Sequence, residues 1–184
     1  MDDSDGTRPL SWLLLIYRIP SEPTKLRAAV WRRLKGVGAV YLQTSTAVLP
    51  ASVAAERSLR RLRHEILEMG GSALLLECSA LAGEPDIVSA LEAARNDEYE
   101  EVADRCEDFL RQVQKEHDAS HFTYAELEEN EVDLAKLRSW FAKVVDRDVL
   151  GSSGRQVTEK LLERCDEALE GYAAEVYARD ADAH

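Results

Sequence analysis

The order of short apolar runs and amphipathic stretches between Ser11 and Ser79 constrains the fold more than any other feature. SWLLLIYRIP is a continuous apolar run closed by Pro20. It suits a strand covered on at least one face, and proline ends it because proline cannot donate to a ladder. A helix follows: Ser21 is placed to cap it, Glu22 and Pro23 fall in its first turn, and Leu26, Ala29, Val30 and Leu34 recur at helical spacing before Gly36 and Gly38. GAVYLQ and TAVLP are rich in β-branched and aromatic residues, are joined by a Thr-Ser-Thr turn and end at Pro50, which reads as a hairpin. SVAAERSLRRLRHEILEMGG then places Val53, Leu59, Leu62, Ile66 and Met69 on one side of a second helix stopped by Gly70 and Gly71, and SALLLEC reads as a fourth strand.

The order β-α-β-β-α-β over residues 11–82 is the split βαβ, or ferredoxin-like, arrangement of four antiparallel strands with two helices on one face. Residues 1–10 read as a disordered leader. Beyond Cys78 no strand pattern recurs. Asp86 to His117 is helical, with a break expected near Asn96 and an apolar stripe of Val102, Cys106, Phe109, Leu110 and Val113. Thr123 opens another helix through a Thr-x-x-Glu capping box with Glu126, followed by Leu127, Leu134, Leu137, Phe141 and Val144 or Val145. A last helix presents Val157, Leu161, Leu162, Cys165, Leu169, Tyr172 and Val176 at spacing 3 or 4. The expected class is α+β, a ferredoxin-like domain followed over 83–180 by a helical hairpin or bundle.

A chain of 184 residues can bury a core without staples. Its three cysteines, Cys78, Cys106 and Cys165, form no CxxC pair, so neither a disulfide framework nor a zinc site is indicated, and a reducing, cytoplasmic compartment is expected. The acidic start MDDSDGTRP is not a signal peptide, and no apolar stretch approaches the roughly 18 residues needed to span a bilayer. Charge is the informative part of the composition. The net charge is -12, yet residues 1–70 hold 11 Lys/Arg against 7 Asp/Glu while residues 71–184 hold 12 against 28. Such asymmetry points to a basic patch with an anionic partner, or to docking of that patch on acidic helices of the same chain or of a second subunit.

The basic set is Lys25, Arg27, Arg32, Arg33 and Lys35 on the first helix and Arg57, Arg60, Arg61, Arg63 and His64 on the second. The topology puts both helices on one face of the sheet, where guanidinium groups can meet the phosphates of duplex DNA and release counterions. Phosphate contact gives affinity without sequence choice. Arg57, Arg60 and Arg61 are the candidate contacts of the second helix. Metal and catalytic chemistry find little support: His117 and His121 fall where a helix ends, the end of the first strand reads Tyr17-Arg18 where a metal nuclease would need a carboxylate, and no nucleophile cluster assembles. Neither a cofactor nor an enzyme activity is expected. Trp12, Trp31 and Trp140 are expected as core or interface anchors, and Cys106 and Cys165 as buried thiols.

WLLLIYRIPSEPTKLRAAVWRRLKGVGAVYLQTSTAVLP resembles the opening of the ChrB N-terminal domain, a family of bacterial chromate-resistance regulators, and FTYAELEENEVDLAKLRSWFAKVVDRDVLG resembles its second signature. The resemblance implies a DNA-binding transcriptional regulator of a chromate efflux operon, acting as a homodimer. Members of the family continue into a C-terminal domain tied to the chromate response, so it implies a module without that domain, in which DNA binding carries over best. The positions carried over are Lys25, Arg27, Arg32 and Arg33. A bound chromate would favour arginine and helix N-terminal amides, which makes Arg18 beside Ser21 its candidate.

Overall fold

The computed structural model describes residues 10–22 and 25–182. In chain order the elements are β1 (Trp12–Arg18), α1 (Lys25–Gly36), β2 (Val40–Gln43), β3 (Thr46–Pro50), α2 (Val53–Glu68), β4 (Ser72–Cys78), α3 (Glu84–Asp118), α4 (Tyr124–Arg147) and α5 (Gly154–Asp182). The chain divides into two compact units between Glu92 and Ala93, inside α3. The leader, up to residue 9, and Pro23 lie outside the described residues.

In the first unit the strands order as β2-β3-β1-β4, all antiparallel, the α+β arrangement that the element order predicts. The most apolar strand, β1, is paired on both sides, with Leu13 opposite Leu49 and Glu77 and Leu15 opposite Ala47 and Leu75. Alternation sends Leu13, Leu15, Ala47 and Leu49 to one face, where they join Val30 and Leu34 of α1 and Leu59, Leu62 and Ile66 of α2 in one buried cluster. Both helices therefore cover the same side of the sheet. Burying each of these leucine or isoleucine side chains contributes about 1.5–3 kcal/mol.

Ser52 caps α2 by accepting the Ala55 N–H at 3.1 Å. The helix stops at Gly70, whose φ of 76° suits glycine, and the next residue makes a close approach that only glycine permits. A Cβ on Gly71 would stand 2.4 Å from the Arg18 carbonyl oxygen and 2.9 Å from Ile66. This contact fixes the end of β1, and with it Arg18, against the start of β4. Gly71→Ala is accordingly expected to destabilise the protein by about 1–3 kcal/mol through overpacking, read as a lower denaturation midpoint by circular dichroism.

Several expectations need correction. The first described helical residue of α1 is Lys25, no acid stands in its first turn, and Ser21 and Glu22 lie in a bend. Val53 and Val157 are exposed, each lying in the first turn of its helix, before the stripe meets the core. Trp12 is buried and Trp140 partly buried, as expected of anchors, but Trp31 is 50% exposed.

The second unit packs α3, α4 and α5 around one core of Tyr99, Val102, Cys106, Phe109, Leu127, Leu134, Val144, Cys165, Tyr172 and neighbours. Cys106 and Cys165 are buried free thiols. Thr123 caps α4 as its capping box predicts, accepting the Glu126 N–H at 3.3 Å. The expected break near Asn96 is absent: α3 runs through it unbroken. Asn96 instead turns its side chain to another helix end, where Oδ1 accepts the Gly154 N–H at 2.9 Å and satisfies one orphan donor of α5.

Candidate nucleic-acid interface

The cationic face is built on α1 and α2. α1 carries Lys25, Arg27, Arg32, Arg33 and Lys35 with no acidic residue, and its apolar side is occupied by Val30 and Leu34 in the core, so the cations are left outward. On α2 the burial of Leu59, Leu62 and Ile66 sorts the basic residues into two groups. Arg60 and Arg63 turn toward β4: Arg60 pairs with Glu56 at 2.6 Å, Arg63 Nε donates to the Ala73 carbonyl at 3.1 Å, and both line a cavity of about 360 Å3 with Leu74 and Glu77. Arg57, Arg61 and Glu65 form a second column at i+4 spacing. Glu65 is bonded to Arg33 of α1 at 3.3 Å, and from there the column turns outward through Arg61 to Arg57, on the side of α2 away from the core.

The seven basic positions expected to meet DNA thus differ in availability. Lys25, Arg27, Arg32, Arg57 and Arg61 are exposed and have no ion pair among the described residues. Arg33 and Arg60 are paired with Glu65 and Glu56. Such surface pairs contribute about 0–1 kcal/mol to stability, and their guanidinium groups face carboxylates of α2.

Arg18, the position considered for an oxyanion, is exposed at the end of β1, and it is brought together with Arg27 rather than with a described helix N-terminus. Both arginines line two adjoining cavities of about 690 Å3 each, one shared with Ser21, Gly70, Gly71 and Ser72, the other with Tyr17, Trp31, Tyr41 and Gln43. The Tyr17 and Tyr41 hydroxyls are 2.9 Å apart, and burial, reinforced by that hydrogen bond, pushes the Tyr41 phenol above its ordinary pKa.

Trp31 and Tyr41 were not legible as site residues from the apolar pattern alone. Trp31 lies four residues after Arg27 and four before Lys35, in the basic column of α1 and not in its apolar stripe, and Lys35 Nζ stands 5.7 Å from its ring centroid. That spacing was the available signal. His117 is on α3, whereas His121 follows the helix end, and no group of three or more metal-ligating side chains occurs among the described residues. No helix among them is long and apolar enough to cross a membrane.

Fold and site together define an α+β protein whose small sheet carries an arginine-rich helical face and whose second unit is a set of three helices. The chain matches the family model described as Protein ChrB, N-terminal, over residues 27–183 and belongs to that family, which associates it with chromate resistance. The matched residues include every basic position above except Arg18 and Lys25. No curated protein and no solved structure matches the chain.

Proposed function

We propose that the protein is a non-catalytic transcriptional regulator of the ChrB type that acts in the cytoplasm and lays the α1–α2 face on the phosphate backbone of duplex DNA. One observation carries this reading: within a chain of net charge -12, seven exposed cations on two adjacent helices, Lys25, Arg27, Arg32, Lys35, Arg57, Arg61 and Arg63, have no ion pair among the described residues. Unpaired guanidinium groups bond phosphate without first giving up a carboxylate, and each contact releases counterions.

The sorting of the arginines supplies the test. In fluorescence anisotropy with a labelled duplex over a salt series, Arg57→Ala is expected to weaken binding and reduce the slope of log affinity against log salt by about 0.9. Arg60→Ala, whose side chain is turned to Glu56, should leave the slope within error of the parent. Equal slopes in the parent and Arg57→Ala would remove Arg57 from the interface.

The same reading holds that two copies pair on DNA and that chromate acts as effector through the Arg18–Arg27 neighbourhood, where a tetrahedral dianion can take two guanidinium partners. Chromate, but not sulfate, is then expected to weaken duplex binding by the parent and to lose that effect in Arg18→Ala. Equal action of the two anions would reduce the effect to ionic strength. Sedimentation velocity checks the pairing: the mass of two chains on one duplex supports it, and the mass of one contradicts it.

A further inference from the structure

We infer that the cavity lined by Tyr17, Arg18, Arg27, Trp31, Tyr41 and Gln43 is a binding site for one unpaired nucleotide, free or within a single strand, with its base stacked on Trp31 and its phosphate on the two arginines. The cavity measures about 690 Å3, in the size range of small-ligand sites. Its lining joins three kinds of group that a nucleotide needs together. Trp31 is a large aromatic that takes no part in the core cluster and is half exposed, so it is available as a stacking platform. Arg18 and Arg27 have no ion pair among the described residues and also border the adjoining cavity by Ser21 and Ser72, so there is room around them for a phosphate. Gln43 offers an amide donor and acceptor beside the paired Tyr17 and Tyr41 hydroxyls, and these suit the hydrogen-bonding edge of a base.

The cavity offers more than an inorganic anion uses. Chromate on the Arg18–Arg27 pair would take the two guanidinium groups alone, whereas Trp31 and Tyr41 beside them suit a ligand that carries a base. A base inside a duplex is stacked on both faces and cannot reach a concave site unless it is extruded. The site shares Arg27 with the duplex reading but not Arg57 or Arg61, which do not line this cavity.

The experiment titrates the full chain with deoxyadenosine monophosphate and with a fluorescently labelled oligodeoxyadenylate, following tryptophan emission for the first and anisotropy for the second. Saturable quenching by the mononucleotide is expected, since Trp31 is the most exposed of the tryptophans while Trp12 is buried. Strand affinity should fall about tenfold or more in Trp31→Ala, the usual loss when a stacking platform is removed, and comparably in Arg27→Gln. Circular dichroism confirms the fold of both variants. Duplex binding by Trp31→Ala should stay near the parent's, which separates stacking at this site from the duplex contacts of α2. The mononucleotide binding as tightly as the strand would identify a free nucleotide as the occupant, and tighter binding of the strand would identify single-stranded nucleic acid; both support the site. Absence of saturable binding by either probe, unchanged strand affinity in folded Trp31→Ala, or inorganic phosphate competing as well as the mononucleotide would overturn it.

Discussion

Joint replacement of Arg32, Arg57 and Arg61 by glutamate is expected to lower duplex affinity on the order of a thousandfold at low salt, because hydrogen bonds to charged groups contribute about 1.5–3 kcal/mol each and the new carboxylates repel phosphate. The fold should survive. All three side chains are exposed and have no ion pair among the described residues, so their loss breaks no internal contact of that kind. Surface changes of this type usually alter stability by about 0.5 kcal/mol or less. Anisotropy with a labelled duplex gives the affinity and thermal unfolding gives the stability. A folded triple variant that binds as tightly as the parent would move the DNA contact away from the α1–α2 face.

The largest stability effect is expected in the second unit, at Glu98. Its side chain is 6% exposed and lies between two guanidinium groups, Arg147 Nη2 at 2.8 Å and Arg95 Nη2 at 3.5 Å, with Arg95 itself 5% exposed. Glu98→Ala removes the carboxylate that both arginines face, and breaking a buried pair by deleting one partner costs about 3–5 kcal/mol. Arg95→Met should behave differently. Nε and Nη1 of Arg95 are buried without a hydrogen-bond partner, and burial pulls its guanidinium below the ordinary pKa while Glu98 pulls it back. Methionine fills the place of the arginine's aliphatic stem, removes those unsatisfied donors and leaves Glu98 its bond to Arg147. The expected change is near zero or a small stabilisation, as when buried charges give way to apolar groups of like volume. Chemical denaturation of both variants measures the contrast. Equal losses would mean that Arg95 stabilises the unit despite its unsatisfied donors.

Arg95 and Arg147 do not stand out in the sequence, and Glu98 reads there only as one of the acids concentrated after residue 84; the reason is physical. Arg95 and Glu98 belong to a helix dense in charge, where spacing alone marks a solvated face. Their burial follows from where α4 brings Arg147 and Asp148, and this is a property of packing. Elements set by local rules were legible: the strands by their runs, α2 by its apolar stripe and Gly70, α4 by Thr123. Asn96 has a low helix propensity of its own, but its amide caps α5, and α3 continues through it.

The candidate site was legible as a list of cations and not as an arrangement. The i+4 column of Arg57 and Arg61 could be written down from spacing, but which arginines are already paired depends on Glu56 and Glu65 reaching Arg60 and Arg33. Trp31 reads as a core or interface anchor because large aromatics usually bury area. Its neighbours in the helix, Arg27 and Lys35, placed it on the charged side.

The central claim is that the α1–α2 face binds the DNA backbone, and the direct measurement is anisotropy of a labelled duplex from the gene's own upstream region, beside a scrambled duplex, across a salt series. The account predicts binding by the unmodified chain whose log affinity falls with log salt at a slope of about -3 or steeper, as expected if at least three or four of the cations meet phosphates, with the upstream duplex bound more tightly than the scrambled one. No binding at low salt, or binding indifferent to salt, would contradict it.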